Sequence, residues 1–137
     1  MSEPLTKEEL QERLSHSPFI RFQGLIVQEA DPERQRVVMI APMRPEWERI
    51  AGSGQWHGGP IAAVIDTVGD YALVMTAGRP LPTINYRVDY IRPAVNTALV
   101  VTATVRRAGR SVGVVDVDVM DEKGSLVAIG RATYAMT

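Results

Sequence analysis

His57, Gly58 and Gly59, followed eight residues after Gly58 by Asp66, are the residues of this chain whose types and spacing could do chemistry. They lie in the stretch 57–77, HGGPIAAVIDTVGDYALVMTA, whose spacing predicts a helix of about five turns. Gly58 and Gly59 leave backbone amides accessible at its start, and amides at a helix N-terminus carry partial positive charge suited to a developing oxyanion. The bland alternative for the two glycines is a tight turn before the helix. Asp66 has Ala62, Ala63, Gly69 and Asp70 at its i±3 and i±4 positions, so the helix offers it no cation. A carboxylate so placed is either satisfied by hydrogen bonds from elsewhere in the fold or has a chemical role. Asp70, one turn further along the same face, is expected at the edge of the site or in solvent. His57 alone would be a loop histidine or a cap; beside the two glycines it becomes a candidate site residue.

The elements that must position these residues follow from periodicity and punctuation. Pro60 suits the first turn of the long helix, and Gly78 and Pro80 stop it. Ile61, Val64, Ile65, Val68, Ala72 and Met75 make one large apolar face. Gly59, Ala62, Ala63, Asp66, Gly69, Asp70 and Leu73 make the other, where small side chains would admit a second subunit or a ligand. Thr6 to Glu9 is a capping box that opens a short amphipathic helix with Leu10 and Leu14 on one face, ended by Pro18. Residues 20–29 and 35–41 are expected as two strands around the turn Asp31-Pro32-Glu33, and 42–56 as a loop. Strands are then expected at 83–91, 98–106, 111–120 and 125–135. Ile84, Tyr86, Val88 and Tyr90 alternate with polar residues, and the hairpin spacing requires antiparallel pairing. The expected class is α+β, one domain over residues 1–137 with 1–18 as helix and lead-in. A single antiparallel sheet should curl around the long central helix.

Composition narrows the chemistry further. The net charge is −1 at pH 7, with no case for nucleic acid or an anionic membrane as partner. The chain has no cysteine, so disulfides, thiolate catalysis and cysteine-held metal are excluded. His16 and His57 lack partners at metal-ligand spacing, and neither a metal nor a cofactor is expected. Ser53 does not sit in a Gly-x-Ser-x-Gly elbow. The apolar stretch 60–77 carries two aspartates and is expected as a buried helix, not a membrane span; a cytoplasmic location is the expectation. Asp116 and Asp118 alternate along a strand and read as its solvent face.

The segments HGGPIAAVIDTVGDYAL, PTINYRVDYIRPA and VRRAGRSVGVVDVDV together resemble the hotdog-fold acyl-CoA thioesterases, in particular the PaaI-like branch named for phenylacetic acid degradation. The resemblance spans roughly residues 20–135. It implies that the Gly58 amide hydrogen-bonds the thioester carbonyl and that Asp66 acts as general base on water or as nucleophile. It further implies that His57 orients the loop or the thioester, and that Thr83 holds the water or the acid. Gly59 would line the substrate, and Arg107 and Arg110, in a cluster with Arg106, would meet the phosphates of coenzyme A; Arg87 and Arg92 are further candidates. Eight helical residues span about 12 Å, too far for Gly58 and Asp66 of one chain to serve one carbonyl. The resemblance implies a dimer, or dimer of dimers, with each site shared.

One position departs from that pattern. Related enzymes often carry Asn or Gln six residues before the histidine as a second oxyanion donor, and here that residue is Ala51. Gln55 or Ser53 could substitute. Without such a donor, a non-catalytic acyl-CoA-binding module is the alternative reading, with a hotdog hydratase behind it. The acyl pocket is expected to draw on Trp47, Trp56, Tyr71 or Tyr86.

Overall fold

The computed structural model describes residues 3–137. In chain order its elements are α1 (Lys7–Arg13), α2 (Pro18–Gln23), β1 (Ile26–Asp31), β2 (Arg36–Ala41), a 3-10 turn at Pro45–Trp47, and α3 (Gly58–Ala77). Four strands follow: β3 (Thr83–Tyr90), β4 (Leu99–Ala108), β5 (Val112–Asp121) and β6 (Leu126–Ala135). The six strands form one antiparallel sheet in the order β1-β2-β4-β5-β6-β3. Strands β2 and β4–β6 alternate buried and exposed side chains, and α3 packs across the inner face of β2 to β6. The expected α+β hotdog arrangement, a curved sheet around a long helix, is what forms.

The α3 face carrying Ile61, Val64, Ile65, Val68, Ala72 and Met75 is buried to 4% exposure or less, with Val115, Val117, Val119 and Ala132 among the core residues of β5 and β6. This helix is long and apolar enough to cross a membrane, but 61% of its apolar window is buried inside the fold. The opposite face differs from expectation at two positions. Gly69 lies under Tyr134, where a Cβ would meet the phenol oxygen at 2.6 Å. Leu73 is fully buried, against Gly113 of β5. Both belong to the sheet side, because the C-terminal half of α3 is enclosed almost all round. The partly open stripe is therefore Gly59, Ala62, Ala63, Asp66 and Asp70.

The segment 20–29 is not one strand. Ser17 caps the N-terminus of α2, Pro18 occupies its first turn, and Gly24 ends it in the left-handed region at φ 68°. Pro18 thus begins a helix; α1 has already ended at Arg13. The six residues of α2 are too few to show a helical period, which is why the apolar run reads as strand. The capping box at Thr6 and Glu9 forms as the sequence predicts.

Candidate active site

The N-terminus of α3 is built by local chemistry. His57 is the N-cap: its Nδ1 accepts the Gly59 N–H at 3.4 Å, and its own N–H donates to the Trp47 carbonyl at 2.7 Å. The Gly58 N–H has no acceptor among the described residues. A Cβ at Gly59 would meet nothing within 4 Å, so the space beside its Cα is open. Tyr90, at the end of β3, closes the other side of Gly58. Its hydroxyl donates to the Gly58 carbonyl at 2.6 Å, and a Cβ at Gly58 would stand 3.2 Å from its ring. A side chain at position 58 would therefore need the Tyr90 ring to move by a few tenths of an ångström. Burial raises the Tyr90 phenol above its ordinary range, which keeps it a donor at neutral pH.

A cavity of about 340 Å³ opens beside this terminus. Gln55, Trp56, Gly58, Ile61 and Tyr90 line it, with Arg49 and Arg92. Of the four aromatic residues expected in the pocket, Trp56 lines this cavity. Tyr71 is instead packed with its hydroxyl on the Arg13 carbonyl, Trp47 lies in the core against Phe22, and Tyr86 shares with Tyr90 the face of β3 turned toward α3, near Asp66 and away from this cavity. Ala51 is exposed in a turn. Gln55 borders the cavity, whereas the Ser53 hydroxyl accepts the Gln55 N–H at 3.2 Å.

Asp66 sits two turns along α3 and is half-buried. Thr83, the first residue of β3, donates its hydroxyl to Asp66 Oδ1 at 2.8 Å. No ion pair among the described residues includes Asp66. The backbone there is pinned as well: the buried Tyr134 hydroxyl donates to the Asp66 carbonyl at 2.7 Å, through the space that Gly69 leaves. Sequence context does not single out Tyr134; a tyrosine in an alternating strand reads as core. Thr83 pairs with Tyr134 in the β3–β6 ladder, so one register brings both hydroxyls to the same helical turn.

Asp70 is not at a solvated edge. Its Oδ1 is buried without a hydrogen-bond partner. Burial, and then the Asp66 charge, push its carboxyl from the ordinary 3.8 up to about 7. The buried Tyr134 of β6 lies close enough to this turn for its phenol to feel the Asp70 charge. Gln23 of α2 donates to the Thr67 hydroxyl at 3.1 Å, and Thr67 donates to the Ala63 carbonyl at 3.0 Å.

Arg107 and Arg110 stand exposed at the β4–β5 hairpin and make no ion pair, whereas Arg106 pairs with Asp116 at 3.5 Å and Arg87 with Asp89 at 3.0 Å. One strand, β6, separates the base of that hairpin from Thr83, since Gly113 and Thr83 pair with Tyr134 from its two sides. Asp116 also takes a bidentate bond from Arg131, on the outer face of the sheet. The sequence-read candidates thus fall into two groups on α3. His57, Gly58 and Gly59 share one end; Asp66 and Thr83 share the middle.

Open amide donors at the end of a buried helix, and a carboxylate held by a hydroxyl without a cation, suit acyl transfer to water. The thioesterase superfamily model matches residues 53–128, and the chain belongs to that superfamily. It is a thioester hydrolase by family. It is 32% identical over 98 residues to acyl-coenzyme A thioesterase 13 of Homo sapiens, covering 69% of this chain and 70% of that one. An X-ray structure of another thioesterase-superfamily protein matches with a TM-score of 0.87 at 34% identity, covering 94% of this chain and 96% of that one. The phenylacetic acid degradation protein PaaI of Thermus thermophilus, solved as a mutant, matches with a TM-score of 0.74 at 26% identity. That match covers 87% of this chain and 98% of the PaaI chain.

Proposed function

We propose that this protein hydrolyses an acyl-coenzyme A thioester with an aromatic or medium-chain acyl group, releasing the free acid and coenzyme A. The observation that carries this reading is Asp66, held by Thr83 at 2.8 Å with no cation beside it. An Asp66 carboxylate oriented by one hydroxyl keeps lone pairs for a water molecule. As general base it takes a proton while that water attacks the thioester carbon, and returns the proton to the departing thiolate. As nucleophile it would attack the thioester carbon and expel the coenzyme A thiolate, forming a mixed anhydride that water then opens to the free acid and the Asp66 carboxylate. In either case the Gly58 N–H stabilises the negative carbonyl oxygen, and His57 fixes the turn that presents it. Gly59 leaves room for the acyl group to approach. Gln55, bordering the same cavity, supplies a side-chain donor in place of the one missing at Ala51.

Because about 12 Å of helix separates Gly58 from Asp66, the reading requires a homodimer in which each site joins one copy's Gly58 to the other's Asp66. Two surfaces support it. The free edge of β3 exposes Ile84, Tyr86 and Tyr90, and α3 leaves its stripe of small residues and two acids open. A dimer of dimers is the further expectation. Coenzyme A's phosphates need cations, and one unpaired set is Arg107 with Arg110. The alternative, an acyl-CoA-binding module without turnover, is favoured by Ala51.

Thiol release from a panel of aromatic and straight-chain acyl-CoAs, wild type against Asp66→Asn, decides between them. We expect wild-type turnover that falls by about 10²- to 10⁴-fold in the variant, with coenzyme A binding retained. A folded dimer that releases no thiol from any panel member would instead establish the binding module.

A further inference from the structure

We infer that Tyr90 is a positioning residue for the reaction: by holding the Gly58 carbonyl, its hydroxyl fixes the glycine turn that aims the Gly58 N–H at the thioester oxygen. This rests on the thioesterase reading and adds to it the side chain that steadies the oxyanion donor.

The need for such a group is set by the sequence. Gly58 and Gly59 have no Cβ, so φ and ψ are freest at two consecutive residues. A donor that stabilises a developing oxyanion works by being aligned before the charge appears. Two glycines supply open amides and no stiffness, so the stiffness has to come from the groups around them. Upstream, the His57 N–H is tied to the Trp47 carbonyl at 2.7 Å. Downstream, the ring of Pro60 fixes its own φ. Between these anchors, the Gly58–Gly59 peptide is held from both sides. Its carbonyl accepts the Tyr90 hydroxyl at 2.6 Å, while its N–H makes a long bond of 3.4 Å to His57 Nδ1. The tyrosine bond is the shorter and the stronger of the two.

Tyr90 is itself well anchored. It is the last residue of β3 and pairs with Ala128 of β6. The next two N–H groups, of Ile91 and Arg92, both donate to the Val127 carbonyl, at 2.8 and 3.2 Å. The strand end therefore cannot swing away from α3 without breaking these bonds. The ring lies beside Gly58, where a Cβ would come within 3.2 Å of it. The glycine that leaves the amide open thus also admits the phenol that steadies it. A hydrogen bond to a carbonyl polarises the whole peptide, which strengthens the Gly59 N–H as a donor too. Tyr90 also borders the cavity, so direct contact with the substrate is the competing role.

Tyr90→Phe separates the two roles, because it keeps the ring beside Gly58 and removes only the hydroxyl. The side chain is half-exposed, so the variant should fold with an unchanged Tm. Two comparisons with wild type follow: kcat and KM on the best thioester of the panel, and calorimetric affinity for the matching thioether of coenzyme A, which has no carbonyl oxygen. We expect kcat to fall about 3- to 10-fold, the worth of one hydrogen bond, with KM and thioether affinity unchanged. The Gly58 and Gly59 amide signals in nitrogen-labelled protein give a readout independent of turnover. In the variant the Gly59 amide proton should shift upfield, and both amides should lose order on the picosecond-to-nanosecond scale. An unchanged kcat would overturn the inference. So would equal losses of kcat and thioether affinity, which would make Tyr90 a substrate contact. A wild type that releases no thiol refutes the thioesterase reading instead, and the amides still answer. Unchanged Gly58 and Gly59 signals would then overturn the holding of the turn by Tyr90, whereas changed ones would leave it standing.

Discussion

The two candidate regions for chemistry on α3 are opposites. At its N-terminus, donors lack acceptors: the Gly58 amide is free, the Gly59 amide makes only a long bond to His57, and two unpaired arginines border the adjoining cavity. In its middle, acceptors lack donors: Asp66 has one hydroxyl, and the buried Asp70 oxygen has nothing. Each is unsatisfied in the sense the other would cure. They lie about 12 Å apart on one rigid helix, so no motion within a single copy brings them together. In the proposed homodimer a second copy running the other way would, and the incompleteness of each end is the physical reason to propose it.

The widest test of that contrast mixes its two halves. Asp66→Asn and Gly58→Pro, which removes the amide proton, should each abolish most turnover alone. Co-expressed, they should regain about a quarter of wild-type activity, because random pairing makes one intact site in half of the dimers. Activity no higher than that of either variant alone would show that both groups act within one copy or that one of them is idle.

A smaller effect probes the acid half alone. Thr83→Val keeps the shape and removes the donor to Asp66, so kcat should fall about 10- to 100-fold, the worth of a hydrogen bond to a charged group. KM should move little, and Thr83→Ser should recover most of the rate. A Val variant with wild-type kcat would mean that Thr83 serves only the strand.

The smallest effect is thermodynamic and concerns Asp70. Its folded carboxyl is raised to about 7 by burial and then by Asp66, so between the ordinary 3.8 and that value the folded chain holds a proton that the unfolded chain has lost. Its contribution is therefore complete in acid and lost as pH rises through the raised value. Asp70→Asn removes that dependence. In urea titrations the variant should gain about 2–3 kcal/mol on wild type between about pH 5 and pH 8. A constant difference would show that Asp70 ionises freely in the folded protein.

How legible is all this in the chain? The amide end is nearly complete there, because everything that builds it is local: two glycines, a proline in the first turn, a histidine cap, a left-handed Gly78 at the far end. Asp66 is legible as an anomaly, since its helical neighbours are within four residues and none is a cation. What answers the anomaly is not. Resemblance names Thr83, but the register that also sets the Tyr134 hydroxyl, 68 positions from Asp66, on the same turn leaves no local trace. Asp70, expected at the edge of the site or in solvent, has one oxygen buried without a partner, and its helical neighbours do not announce that. The segment 20–29 shows the local limit, where a six-residue helix is shorter than two turns.

By itself, then, the sequence determined the long helix and its caps, the alternation of the strands, and the placing of two acids on a face without cations. These depend on steric preference and on period, which act over a few residues. Only the tertiary structure decided that β3 returns beside β6, that Tyr90 closes on Gly58, that Arg49 and Arg92 meet at one cavity, and that one Asp70 oxygen is buried without a partner. Those outcomes depend on which distant surfaces exclude solvent together, a property of the packed whole.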